Sequence, residues 1–277
     1  MLNVFLYLIS NLILTLYGLL IKYFNDISLI EQIFARTAVF TIISFISLNG
    51  FSNLHKIYNI TFQPITVILS IINFISIYGI YISFDQLGIG ISQAIMYSWP
   101  IFYYLIIINK YSVKEIIVLF ITFICVLLIL PNKLNTNQSK NIIIGLIGIF
   151  SSLITHIYVF HYMKKNTPNI NEYLFSQYIY ILIGFILYYI YQYFYQNNYM
   201  SFKKIIPILI FNIVLGYLAF YLQFFSVKIL NPFTLSLLTF LSIIFGVITD
   251  RLVFKEQINT KQLIGIIGIV LLNYFFY

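Results

Sequence analysis

The sequence predicts an all-α integral membrane protein, with ten transmembrane helices arranged as two inverted-topology five-helix repeats. Three observations predict it. Of the 277 residues, 61% are hydrophobic and 8% are charged, a balance that excludes a soluble domain. The apolar residues fall into ten runs, each near the length of about 20 residues that a helix needs to cross a bilayer. The second half of the chain, moreover, repeats the first.

Composition excludes several function classes. Cys125 is the single cysteine, so neither a disulfide framework nor most cysteine-based metal sites can form. The net charge of +8 does not point to nucleic acid, because the basic residues are scattered singly or in pairs between apolar runs, as in loops that flank membrane helices.

In chain order, the first run, 3–22, opens the sequence as MLNVFLYLIS with no basic leader and no small-residue cleavage site, and is expected to be a retained helix. Run 29–49 follows Ser28-x-x-Glu31, which has capping-box form. Run 64–84 begins on Pro64, a residue at home in a helix's first turn. Run 90–109 contains AIMYSWPIFYY (94–104), with the only tryptophan, Trp99, beside Pro100. Pro100 is read as the one proline of six inside a run, the others marking starts, ends or loops. It would free the Met96 carbonyl, which then needs a partner from a neighbouring helix or a water-lined cavity. Either a kinked helix facing a ligand or a packing kink satisfies that need.

Run 113–130 opens on Ser112-x-x-Glu115 and stops before Pro131, and the break 131–140 separates the halves. Run 141–162 follows. Run 171–194 opens on Asn169-x-x-Glu172 and closes on the tyrosine-rich stretch YYIYQYFY (188–195), which suits an interfacial aromatic belt. Run 205–226 starts near Pro207, run 232–250 on Pro232, and run 259–276 on Asn259-x-x-Gln262. Negative charge at these starts sits at the positive end of the helix dipole, so Glu31 and Glu172 are expected to be caps rather than proton carriers.

At an offset of 141, Ser10 falls on Ser151, Leu12 on Leu153, Ile13 on Ile154, Tyr17 on Tyr158, Glu31 on Glu172 and Phe34 on Phe175. Tyr81 and Phe84 meet Tyr221 and Phe224 at 140, and Lys114 meets Lys261 at 147. The units are 1–131 and 141–277. Five helices per repeat is odd, so the second repeat begins on the opposite side of the membrane. Inverted repeats with a site between them recur in secondary transporters. Charge does not fix the orientation: with the N-terminus cytoplasmic, six lysines face inside, against eight basic residues outside.

The closing stretch NPFTLSLLTFLSIIFGVITDRLVFKEQINTKQLIGIIGIVLL (231–272), with EQIFAR (31–36) in the second helix, resembles the EamA-type drug/metabolite transporter superfamily. MYSWPIF (96–102) and GYLAF (216–220, containing Tyr217) are similar to segments of the fourth and eighth helices of the bacterial aromatic amino acid exporter in that superfamily. The resemblance implies ten helices, both termini cytoplasmic, and a cavity lined by the first, third, fourth, sixth, eighth and ninth. Where such proteins usually carry an acidic residue after the fourth helix, this chain has Lys110.

Ionisable groups inside a bilayer are costly and point to function by default. Arg36, a third of the way into its helix, is expected to gate or line the cavity, or to snorkel. His156 lies deep in the sixth run, and His161, five residues on, faces elsewhere, so no metal pair forms. Tyr17, Tyr78, Tyr81, Gln93, Trp99, His156, Tyr158, Tyr217 and Thr239 are the expected substrate-binding residues, with Arg36 and Pro100 as gating elements. No acidic residue lies mid-helix, which disfavours proton-driven export of cations. No nucleotide loop, metal cluster, cofactor motif or nucleophile–histidine–acid set is present, so neither ATP-driven transport nor an enzyme is expected. The expectation is a multi-pass protein of the inner or plasma membrane, with the lipid bilayer and a small-molecule metabolite as its partners. No nucleic acid is expected among them, and a monomer suffices. It would move a neutral or zwitterionic molecule of amino-acid size, by export. Uptake or exchange of a nucleoside derivative, or a non-transporting scaffold or lipid-handling role, remains an alternative.

Overall fold

The computed structural model describes residues 2–24, 26–87, 92, 95–96, 98–99, 102–104, 112–129, 139–196, 202–254 and 257–276. All regular structure among them is helical. The helices are α1 (Leu2–Tyr23), α2 (Leu29–Ser47), α3 (Leu54–Thr61), α4 (Pro64–Leu87), α5 (Val113–Ile129), α6 (Ser139–Asn166), α7 (Ile170–Gln196), α8 (Phe202–Phe211), α9 (Leu218–Ile229), α10 (Pro232–Phe254) and α11 (Thr260–Phe276), with a π-helical segment, Asn212–Tyr217, joining α8 to α9. Nine of the ten expected spans thus have a helical counterpart. The fourth, 90–109, falls mostly outside the described residues. Among the described residues, five helical stretches are long and apolar enough to cross a membrane, one of them running from α8 through the π segment into α9, and α1, α10 and α11 contribute shorter apolar stretches.

The helix starts follow the cap chemistry of the sequence. Ser28 and Glu31 form a reciprocal capping box, and Asn259 and Gln262 exchange backbone-to-side-chain bonds of 3.0 and 2.9 Å. At α7 the Asn169 side-chain carbonyl oxygen accepts from the backbone of Asn171. Glu172 does not close a box there; its carboxylate is drawn away to Lys56 at 2.6 Å. Glu115 accepts from the Tyr104 hydroxyl.

Two expectations are corrected. The break 49–63 contains α3, a short amphipathic helix whose Ile57 and Ile60 meet Leu48 and Phe175. Leu54, Tyr58 and the flanking Phe51 and Phe62 are exposed, as on a helix lying in the interface plane. Its eight residues, half of them polar, are too few for a hydropathy run. Pro207 lies inside α8 rather than at its start, because the helix extends back to Phe202; Pro100 is therefore not alone in being inside a run. Just beyond Pro207, the Asn212 side-chain amide donates to the Ile208 carbonyl at 2.8 Å. A side chain taking an i−4 carbonyl widens the backbone ladder, and the π segment begins at that residue.

The helices assemble pairwise: α4 against α6 and α7, α1 against α9 and α10, α2 against α7, and α5 against α11. The α4–α6 crossing is made by two glycines, since a Cβ on Gly79 would stand 2.3 Å from the Gly148 carbonyl oxygen and one on Gly148 2.8 Å from that of Gly79. At the α5–α11 crossing, a Cβ on Gly265 would come 2.5 Å from the Cys125 carbonyl. Small residues let membrane helices approach closely, and polar side chains tie them. Ser70 Oγ donates to the Ser176 carbonyl at 2.7 Å and Asn73 Nδ2 to that of Gln177 at 3.2 Å. The YYIYQYFY stretch is largely exposed at the end of α7, as a belt requires.

Candidate functional site

Arg36 stands at the centre of the arrangement. It is 3% exposed, on the face of α2 that meets α7 and the π segment. Snorkelling is therefore not its role. Its guanidinium carbon lies 4.5 Å above the Phe220 ring and 5.4 to 5.9 Å from the rings of Phe40, Tyr17 and Tyr178. Such a cage attracts the cation through the ring quadrupoles, about 0.5–2 kcal/mol per ring.

A directed chain of hydrogen bonds surrounds it. Arg36 Nε donates to the Tyr178 hydroxyl at 3.1 Å. The Tyr17 hydroxyl donates to Asn212 Oδ1 at 2.7 Å. Tyr81, 3.0 Å from Tyr17, therefore supplies the proton of the bond between them. The Tyr81–Tyr17–Asn212 bonds thus join α1, α4 and the π segment, and the Arg36–Tyr178 bond joins α2 to α7 beside them. Buried networks of this kind fix geometry strongly when satisfied.

Arg36 is one wall of a small, partly open cavity of about 40 Å³. Leu14 and Tyr17 of α1, Ile80 and Phe84 of α4, His156 of α6, Phe220 and Gln223 of α9, and Met96 enclose it with Arg36. Both halves of the chain contribute walls. His156 Nδ1 is 3.4 Å from Ser76 Oγ and 3.2 Å from the Ser152 carbonyl. Toward the other end of the bundle, the Tyr7 hydroxyl meets Thr239 Oγ1 at 2.7 Å. Since Thr239 already donates to the Leu235 carbonyl, Tyr7 is the donor. Polar groups thus run through much of the bundle's length.

A larger groove, about 650 Å³, lies between α2, α4 and α7. It is lined by Ile30, Ile71, Phe74 and Phe185 with the rings of Tyr78 and Tyr188. Its walls are apolar and open outward, as a surface for lipid tails would be. Size alone does not make it the site.

Of the expected site residues, Tyr17, Tyr81, Arg36 and His156 come together. Thr239 is bonded to Tyr7, and neither is a wall of the cavity. Tyr217 is engaged elsewhere, donating to Asn171 Oδ1 at 2.8 Å. Trp99, 1% exposed, stands one layer back: it stacks on Phe160 at 4.0 Å, which stacks on His156 at 5.8 Å. Two residues point away. Tyr78 is 42% exposed and stacks on Phe74 in the outer groove, and Tyr158 is 40% exposed. The repeat equates Tyr158 with buried Tyr17, but α6 packs on α4 through Gly148 whereas α1 packs on α9 and α10, so the two faces diverge. Gln93 and Pro100 lie outside the described residues.

Sequence reasoning missed Tyr178 and Asn212 as members of the site. Tyr178 is one of 25 tyrosines with nothing local to mark it. Asn212 carried a usable sign, being an amide inside an apolar run and hence a group that needs partners. Among the described residues no cluster of His, Cys, Asp or Glu could hold a metal ion.

Comparison with known proteins bears on the second half directly. Residues 143–276 match the family model for the EamA-like transporter family. No curated protein matches the sequence at a significant level. A protein known from a crystal structure matches this fold with a TM-score of 0.70 and 10% sequence identity, over 98% of this chain and 95% of that chain. At that identity the likeness speaks for the fold alone.

Proposed function

We propose that this multi-pass membrane protein, whose residues 143–276 match the model of the EamA-like transporter family, moves a small organic metabolite by alternating access between two inverted five-helix repeats. The substrate is amino-acid-like, neutral or zwitterionic, and the direction is export across the inner or plasma membrane. The chain has no catalytic role in this reading. The observation that carries it is the cavity whose walls come from both halves, where Tyr17 and Arg36 from the first and His156 and Gln223 from the second stand among apolar side chains.

Helix pairing supports the inverted repeat. Exchanging each span for its counterpart five places on turns the α4–α6 pair into the α9–α1 pair. It carries α4–α7 onto the contacts of α2 with α8 and the π segment, and leaves α2–α7 and α5–α11 unchanged. Such exchange supports two halves related by a pseudo-two-fold axis, and the odd number of helices per half is the reason for putting that axis in the membrane plane. The π segment supplies a place where the eighth span can bend, as such interruptions do at functional sites.

Purified protein in liposomes is the test. Preloaded labelled amino acids should leave the vesicles faster than from protein-free liposomes, and nucleosides should not. Efflux equal to that of protein-free vesicles across the whole panel would refute the transporter reading. Selective efflux of nucleosides would replace the substrate class.

A further inference from the structure

We propose that the α6–α7 and α9–α10 connections form a gate, latched shut in this structure by two exchanged lysines, Lys164 and Lys228, and sprung by a strained backbone at Thr167. The gate rests on the transporter reading and deepens it by naming the segment that opens.

The latch is reciprocal. Lys164 leaves the last turn of α6 and donates to the carbonyl of Leu230, the residue that caps the C-terminal end of α9. Lys228 leaves the last turn of α9 and donates to the carbonyl of Pro168, in the short connection 167–169 between α6 and α7. Each ammonium thus holds the other helix's loop. Hydrogen bonds from a charged donor are about twice as strong as those between neutral groups, and Leu230 stands at the negative end of the α9 dipole, which favours a cation. Close by, Glu172 in the first turn of α7 is tied to the first half through Lys56.

What the latch closes is an apolar plug. Along α6 the order is His156 in the cavity wall, then Phe160 and Met163, then Lys164. Along α9 it is Gln223 in the wall, then Phe224 and Val227, then Lys228. The four residues between wall and latch are buried in one cluster with Tyr173 of α7, whose ring meets Phe224 edge-on at 5.2 Å. A solute leaving the cavity toward this end must pass where these side chains meet, so α6, α7 and α9 have to part there.

The spring is Thr167. Its φ of 40° lies in the left-handed region, which is an outlier for a β-branched residue. Pro168 works against it as well, because a residue before proline prefers extended backbone. Such a conformation persists only where the surroundings impose it, as in switch segments. Here the Thr167 N–H is held by the Met163 carbonyl at 3.0 Å, and Lys228 holds the next carbonyl along. Release of Lys228 lets the connection relax toward extended backbone.

Sided cysteine labelling of the full chain reads the gate. In a Cys125→Ala background, a single cysteine at exposed Asn166 identifies the face that carries the two loops, and one at Leu14 reports access to the cavity. From the loop face, Lys164→Met combined with Lys228→Met should speed labelling at Leu14 about 10-fold, the worth of a hydrogen bond to a charged group. Labelling from the opposite face should not rise. Arginine at both positions keeps charged donors and should stay near the parent. Lys165→Met removes the same charge from an exposed neighbour and should change neither rate. Thr167→Asn introduces a residue that tolerates left-handed backbone, so it should relax the spring and slow labelling from the loop face several-fold. If the double methionine variant does not fold, Thr167→Asn still decides.

Equal acceleration from both faces would mean general loosening and overturn the latch. So would unchanged rates in the double methionine variant, or faster labelling in Thr167→Asn. Liposome efflux by the parent separates the two levels. A parent that transports, with labelling indifferent to these variants, keeps the transporter reading and loses the gate, whereas a parent without efflux loses the transporter reading whatever the labelling shows.

Discussion

Leucine at Gly148 or Gly79 is expected to leave no folded protein, because at this crossing the two backbones touch. A Cβ on either glycine would lie within 2.8 Å of the other's carbonyl oxygen, and neither atom can move without separating α4 from α6. Overpacking against flexible side chains costs about 1–3 kcal/mol. A forced separation of helices falls in the range above about 4 kcal/mol that few single substitutions reach. Even Gly79→Ala should lower the melting temperature in detergent by several degrees. Gly184 is the control. A Cβ there would meet nothing within 4 Å, so Gly184→Ala should be neutral or slightly stabilising, by up to about 1 kcal/mol of helix propensity. A Gly148→Leu protein that melts with the parent would show that the crossing does not hold the halves together.

Trp99→Ala is expected to have the next largest effect, a loss of about 3–5 kcal/mol, the usual cost of truncating a fully buried large aromatic. Trp99, Phe160 and His156 form a continuous stack, and His156 is a wall of the cavity. Removing the far end should therefore let His156 shift and slow transport in the protein that remains folded. Trp99→Phe preserves a ring against Phe160 and should lose less in both respects. Melting temperature and initial efflux rate, measured on both variants, check this. Unfolding of Trp99→Ala at the parent's temperature would contradict the stacked arrangement. Stability loss with unchanged efflux kinetics would confine Trp99 to a packing role.

Much of the fold was legible in the sequence because a bilayer imposes a coarse rule. A span must be apolar for its whole length, and nine of the ten apolar runs have a helical counterpart among the described residues. α3 escaped because an interfacial helix buries one face and needs neither length nor uniform hydropathy. The site was legible in part. Arg36, Tyr17, Tyr81 and His156 stand out as ionisable or polar groups at membrane depth, and they converge. Tyr78 and Tyr158 meet the same criterion yet face outward. Depth along a helix follows from the sequence, but the face presented to a neighbour depends on which helices pair, and here on glycines at α4–α6 without equivalents at α1–α9. Tyr178 shows the converse limit. It became part of the site because α7 lies against α2, a contact that nothing in its own stretch announces.

Sided labelling of a cavity residue tests the central claim, alternating access to a site shared by the two halves. Leu14 lines the cavity, and Cys125 is the only native thiol. In a Cys125→Ala background, a single cysteine at Leu14 should react with a membrane-impermeant thiol reagent from either face, in right-side-out and in inverted vesicles alike. An α-amino acid in the medium should slow both reactions. Labelling confined to one face, in both vesicle orientations and with or without amino acid, would contradict the account.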